Sequence, residues 1–301
     1  MDKINWIVSL SLPLPNTGRI RDYSTLFDFM ETKDRITQLF SKCKDANRAA
    51  FIGYVCACDP DFDTSLEICR TLIKNGVDLL ELGVPFSDPL ADGITNQLAA
   101  QRALESGCRG EDVLRLVGEI RKFSEVPIVF YTYYNLIFSQ GVEDYVSKAK
   151  DAGVDGFLTL DLPPEESKEL VEVSQKFKIK NIFIIAPTTP ESRIPTVVEQ
   201  AGGFIYYVSR EGVTGARDDL ASDLEERVLA IRVHTDLPVV VGFGISSPEQ
   251  VRKVASCSDG VVVGSALVNC ISENLGDSSL IVQKIGERAR LLTSGLVQSP
   301  K

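Results

Sequence analysis

The chain has 301 residues, a net charge of −10 and a pI near 4.8. No basic cluster stands out, which argues against nucleic acid or an acidic membrane surface as partner, and no apolar run approaches the roughly 20 residues of a membrane span. Seven cysteines, an odd number, sit mostly in apolar surroundings (Cys56, Cys69, Cys270), a pattern of reduced thiols rather than a disulfide framework, so a cytoplasmic location is expected.

Residues 1–29 do not share the pattern of the remaining chain. Ile4 to Leu14 is apolar but broken by proline, with no small-residue cleavage site after it. This stretch is expected to lie outside the folded domain, as a poorly ordered extension or a misassigned start. Met1 and Met30 are the only methionines. The folded domain is read as 30–295, with 296–301 as a tail. Lys33 to Cys43 reads as an amphipathic helix, with Ile36, Leu39 and Phe40 at helical spacing.

From there apolar, β-rich runs alternate with helical patterns. The runs are Ala50 to Val55, Val77 to Leu82, Pro127 to Tyr131, Gly156 to Leu160, Asn181 to Ala186, Phe204 to Val208, Pro238 to Gly242 and Gly260 to Gly264. The helical patterns are Ser65 to Lys74, Val113 to Phe123, Val142 to Ala152, Pro164 to Phe177, Ser192 to Ala201, Asp219 to Val233 and Pro248 to Ala255, with Ser279 to Thr293 closing the series. Continuous apolar strands alternating with helices predict a parallel sheet buried on both faces. Eight such units in one chain of this length predict an α/β fold of the (β/α)8 barrel type, a single domain, rather than an open sheet. An internal echo agrees: Gly76-Val77-Asp78 and Gly153-Val154-Asp155-Gly156 each close a helix and enter a strand, and Ser258-Asp259-Gly260 does much the same.

The second run carries Glu81 near its C-terminal end and leads into a proline-stiffened loop with Asp88 and Asp92. An acid inside an apolar run is paired, solvated in a cleft or protonated. One reading is a satisfied core carboxylate; the other is catalysis, because α/β barrels keep their chemistry on strand-end acids beside long loops. The single histidine, His234, sits at a loop edge, so Ser-His-Asp and Cys-His mechanisms are set aside. The Cys56-x-Cys58 pair has no neighbouring Cys or His cluster to complete a metal site. Gly242-Phe243-Gly244 and Gly264-Ser265 end the last two runs, where a barrel commonly holds phosphate against a short helix. Ser209 to Arg217 has the composition of a lid or of a plain solvated loop.

The stretch Glu81 to Gly93, ELGVPFSDPLADG, resembles the signature of the tryptophan synthase alpha subunit family. Tyr133-Tyr134-Asn135, Asp161-Leu162-Pro163, Gly212-Val213-Thr214-Gly215, Gly242-Phe243-Gly244-Ile245-Ser246 and Gly264-Ser265-Ala266 match it in order, and the likeness spans roughly Lys33 to Arg290. The resemblance implies a barrel lyase that splits indole-3-glycerol phosphate into indole and glyceraldehyde 3-phosphate. It implies no cofactor in this subunit, pyridoxal phosphate belonging to a beta partner that receives the indole in an αββα heterotetramer. Carried over by motif, Glu81 is the catalytic acid/base and Asp92 its partner at the indole nitrogen. Tyr54, Tyr206 and Phe243 flank the indole, and Thr214 on the lid meets the Asp92 loop. Gly215, Gly244, Gly264 and Ser265 fall on the phosphate positions. Three residues depart from the pattern: Cys58 where a glycine is usual, and Ile94 and Leu136 where prolines are. They bear on loop closure and turnover more than on substrate. Two other readings stay open here: a partner-activating subunit with weak lyase chemistry, and another phosphate-binding barrel such as an isomerase or aldolase. A Schiff-base aldolase would need a strand-end lysine, and no run has one near its C-terminal end.

A chain that starts at Met30 is expected to fold as well as the full chain. Loss of soluble expression on that truncation would refute both forms of the N-terminal reading.

Overall fold

The computed structural model describes residues 34–209, 219–242 and 244–296, without the side chains of 219–223. The sequence expectations for residues 1–29, Thr214, Gly215 and Phe243 therefore lie outside the described residues. Asp34 caps the first helix, α1 (Arg35–Asp45), by accepting the Ile36 and Thr37 N–H groups. Eight strands come next: β1 (Ala50–Cys56), β2 (Leu79–Gly83), β3 (Ile128–Thr132), β4 (Gly156–Thr159), β5 (Lys180–Ile185), β6 (Ile205–Val208), β7 (Val239–Gly242) and β8 (Gly260–Val263). All pair in parallel, in sequence order, and β8 returns to β1 to close the barrel. This is the predicted (β/α)8 architecture. No described helix is long and apolar enough to cross a membrane.

The strands alternate between two apolar layers. Ile52, Leu79, Val129, Leu158, Ile182, Val240 and Val262 fill the barrel interior, and α1 packs against this set with Ile36, Leu39 and Phe40. The Phe40 and Phe204 rings lie 5.7 Å apart. Phe51, Leu80, Phe130 and Val261 belong instead to the layer under the outer helices, with Ile68, Leu116 and Val146. Both faces of each strand are thus dry, which is why the strands read as unbroken apolar runs.

The outer helices are α2 (Phe62–Lys74), α3 (Ile94–Glu105), α4 (Gly110–Arg121), α5 (Tyr134–Phe138), α6 (Val142–Ala152), α7 (Lys168–Lys176), α8 (Ile194–Gln200), α9 (Asp219–Arg232), α10 (Pro248–Ala255), α11 (Ser265–Ser272) and α12 (Ser278–Thr293). Three of them are absent from the periodicity reading. Helix α3 buries only Ala99, Ala100 and Ala103 and exposes Ile94 and Leu98, so it has no inward apolar stripe to detect. Helix α5 is one turn long, and α11 is apolar on nearly every side. Two expected helices, Pro164 to Phe177 and Ser192 to Ala201, instead begin as separate 3-10 turns at Pro164–Glu166 and Glu191–Arg193.

The internal echo has a physical basis at the N-terminal end of the barrel. Asp78, Asp155 and Asp259 each stand just before an even-numbered strand or at its approach. Their carboxylates accept the N–H of Phe51, Ile128 and Val239, in the first two residues of β1, β3 and β7. Each is also ion-paired with an arginine from the helix end or linker that leads into that neighbouring strand: Arg48, Arg121 and Arg232. Asp155 is the buried member, and takes a second arginine, Arg35, at 3.0 Å. Removing it leaves Arg121 with backbone acceptors only, Arg35 with Glu125 as its remaining carboxylate, and a strand N–H without its acceptor. Asp155→Ala is expected to lower stability by about 3 kcal/mol, and Asp78→Ala, at a more exposed pair, by less. Urea unfolding of the two variants checks the order.

Candidate active site

The C-terminal end of the barrel is built differently. Its inward-facing residues include Tyr54 on β1, Glu81 on β2, Tyr131 on β3 and Tyr206 on β6, and Tyr54 pairs in register with Glu81. Glycines make room for them. A methyl group on Gly83 would lie 2.5 Å from the Tyr54 hydroxyl, and one on Gly242 would lie 2.5 Å from the Tyr206 hydroxyl. Gly264 packs on Tyr54, where an added carbon would meet its Cβ at 3.5 Å. The strand-end glycines are therefore spaces for phenol rings as well as approaches for a ligand.

Glu81 is 2% exposed, and its Oε1 has no hydrogen-bond partner. Burial, with the negative charge of Asp92 adding to it, pushes its carboxyl up to about 8. The satisfied-core reading of Glu81 is thus not what is found, because a satisfied carboxylate would have donors on both oxygens.

Asp92 lies on the loop between β2 and α3 and is well supplied with donors. The Tyr131 hydroxyl donates to its Oδ1 at 2.7 Å and the Tyr133 hydroxyl to its Oδ2 at 2.8 Å. The Ala91 N–H donates to the Tyr133 oxygen at 3.0 Å, and the Gln97 side chain donates to the Asp92 carbonyl at 2.9 Å. The rings of Phe86 and Tyr133 sit 5.0 Å apart and tie the loop to the start of α5. Burial and the Asp92 carboxylate raise both tyrosines above the ordinary phenol range, so they act as donors. Neither Tyr131 nor Tyr133 is assigned a role by the sequence reading. Tyr133 lies in a quoted motif, and Tyr131 is legible only through its register opposite Gly83.

The expected phosphate positions fall at the same end. Gly244 has φ +66°, a conformation that favours glycine. Gly264 is the N-cap of α11, and no side chain caps that first turn. Helix α10, by contrast, is closed by a capping box of Ser247 and Gln250. Ser265 is exposed at the open N-terminus of α11. The free N–H groups and dipole there suit an anion.

Other features are remote from this end or strained within it. His234 is exposed in the loop before β7, at the opposite end. A cavity of about 1130 Å³ also lies at that end, and Arg48, Lys180 and Arg232 in its wall are held in ion pairs with Asp78, Asp34 and Asp259. Cys58 has φ +61°, as its place at a glycine position implies, and its N–H is held by the Ser65 hydroxyl at 3.0 Å. All seven cysteines are free thiols.

Comparison with known proteins bears on this geometry. The profile of the tryptophan synthase alpha chain family matches residues 40–296. A tryptophan synthase alpha chain of Opitutus terrae is 63% identical over 261 residues, covering 87% of this chain and 98% of that one. That of Methanothermobacter thermautotrophicus is 46% identical, covering 82% and 92%. Among solved structures, tryptophan synthase subunit alpha from Legionella pneumophila superposes with a TM-score of 0.81 at 34% identity, covering 88% of this chain and 99% of that chain. A chain of the aminoacrylate-bound tryptophan synthase of M. tuberculosis gives 0.78 at 32%, covering 88% and 100%. The chain belongs to the tryptophan synthase alpha chain family, a lyase family of tryptophan biosynthesis.

An unpaired buried carboxyl has a measurable cost. The folded protein holds the Glu81 proton more tightly than the unfolded chain, whose carboxyl titrates near 4.5. Stability is therefore lost progressively as pH rises from the unfolded value toward about 8. Glu81→Gln is expected to unfold at higher urea than the native chain at about pH 8, with the gap narrowing toward about pH 5. An equal gap at both values would mean that the group does not titrate in this range.

Proposed function

We propose that the chain cleaves indole-3-glycerol phosphate to indole and glyceraldehyde 3-phosphate, with Glu81 as acid and base and Asp92 as the partner of the indole nitrogen. The observation that carries this reading is the contrast between the two acids. Glu81 is buried, unpartnered and protonated near neutrality, whereas Asp92 is a fixed hydrogen-bond acceptor on the loop above it.

The reaction needs both. The Glu81 carboxyl gives its proton to indole C3, which places positive charge on the ring nitrogen. Asp92 accepts the ring N–H and stabilises that charge as it develops. The Glu81 carboxylate then takes the proton of the C3′ hydroxyl. The C3–C3′ bond breaks, its electrons return to the ring, and C3′ becomes the aldehyde carbon. Glu81 ends protonated, ready for the next cycle. Tyr54 and Tyr206 border the indole, joined by Phe243, with Thr214 on the lid. The α11 N-terminus with Gly264 and Ser265, and the loops of Gly244 and Gly215, take the phosphate. This chemistry calls on no cofactor in this subunit.

The partner is a tryptophan synthase beta subunit carrying pyridoxal phosphate, joined in an αββα assembly that receives the indole. Exposed apolar residues on the Asp92 loop, at the start of α3 and at the end of α5 support a docking face at this end: Leu90 is 92% exposed, Ile94 68% and Phe138 63%. A cytoplasmic location accords with this role.

An indole-release assay on indole-3-glycerol phosphate, with and without the beta subunit, tests the proposal. Release is expected in both cases and faster with the partner. Glu81→Gln should lose at least roughly 100-fold in turnover, the usual worth of a general acid–base group, while substrate still binds. Asp92→Asn should retain a trace, since an amide still accepts a hydrogen bond. Glu81→Gln with more than about a tenth of native turnover would falsify the assignment.

A further inference from the structure

We infer that Tyr131 is the positioning residue for Asp92, fixing a loop carboxylate to the barrel wall during the cleavage; this rests on the proposed lyase activity. Tyr131 stands on β3, one strand from Glu81, with its backbone in register with Gly83. Its carbonyl accepts the Val84 N–H at 2.9 Å, so β2 and β3 stay paired to the start of the loop. Its ring meets Tyr54 nearly edge-on, with centroids 5.0 Å apart and planes at 68°. A side chain packed in this way has little rotational freedom, and its hydroxyl points to a fixed place.

Asp92, by contrast, sits on an irregular segment running from Val84 to Gly93. Its second phenol donor does not anchor it to the barrel in the same sense. Tyr133 lies beyond the end of β3, takes the Ala91 N–H of the loop on its own oxygen, and packs on Phe86 of the same loop. Tyr133 thus ties Asp92 and the loop together to the start of α5. Tyr131 holds Asp92 relative to Glu81, because both stand on adjacent paired strands. The ring nitrogen and C3 belong to one rigid bicycle, so the acceptor at one and the proton donor at the other must keep a fixed separation. Tyr131 supplies that constraint without touching the reacting atoms.

The test is a double-mutant cycle on Tyr131 and Asp92, read as single-turnover cleavage with enzyme in excess and the beta subunit present. Tyr131→Phe should slow cleavage roughly 10- to 100-fold, the worth of a hydrogen bond to a charged group. In an Asp92→Ala background the same change should cost less than about twofold, because the acceptor through which Tyr131 acts is gone. Binding of an uncleavable indole-3-propanol phosphate should weaken much less than the rate falls. Should Tyr131→Phe fold poorly, Tyr131→Leu fills the strand end without a hydroxyl and enters the same cycle. Equal losses in both backgrounds, or no loss in the native one, would leave Tyr131 as packing and overturn the inference while the lyase reading stands. If the native chain with its partner releases no indole, the lyase reading fails and the inference with it.

Discussion

Glu81 sits in the barrel wall with one carboxyl oxygen that has no hydrogen-bond partner, and the surrounding fold is what keeps it there. A polar group in that state costs on the order of 1–3 kcal/mol, and an ionised one costs more. In a flexible segment the side chain would turn out to water. On β2 it cannot, since Leu80 and Leu82 hold the strand against the outer helices and β1 and β3 pair with it on both sides. A closed barrel has no edge strand through which the ladder could shift. The carboxyl answers its surroundings by keeping its proton.

The two ends of the barrel divide the work. At the N-terminal end, acids are matched with partners: Asp78, Asp155 and Asp259 each take a strand N–H and an arginine. There the same residue type sews a helix end to two strands. At the C-terminal end, Gly83, Gly242 and Gly264 thin the wall and tyrosines fill the space with hydroxyls turned to the interior. The C-terminal end also carries an unsatisfied carboxyl and, at Cys58, a backbone angle that suits glycine, beside the buried Asp59–Arg102 ion pair that holds the segment after β1 to α3.

Much of this is legible in the chain. The barrel follows from alternation, because strands buried on both faces leave continuous apolar runs. Glu81 stands out because it interrupts one of them. The repeated Gly-Val-Asp before strands is a true signal, although its cause, an acid reaching the N–H of the neighbouring strand, depends on pairing across the sheet. What stays hidden depends on neighbours in space. Helix α3 turns alanines inward and larger apolar residues outward, so its pattern runs against expectation. The need for glycine at positions 83 and 242 comes from tyrosines on adjacent strands, β1 and β6. Tyr131 reads as an ordinary strand aromatic until its hydroxyl is seen 2.7 Å from Asp92.

Under the proposed lyase reaction, the placement of the two acids follows from what each would have to do. A group that delivers a proton to a carbon and then collects one from a neighbouring hydroxyl must reach both atoms from nearly one position. That demands a strand, and a site dry enough to hold the proton between turnovers. A group that stabilises charge on the ring nitrogen needs to be in place only once the ring has arrived. It can ride on a loop that admits the substrate, provided the loop is referenced to the strand. The hydroxyls of Tyr131 and Tyr133 provide that reference, one from the barrel wall and one from the start of α5. Exchanging the two acids would fail on both counts: a loop acid would meet water and lose its proton, and a strand acid among donors would hold its charge and have no proton to give.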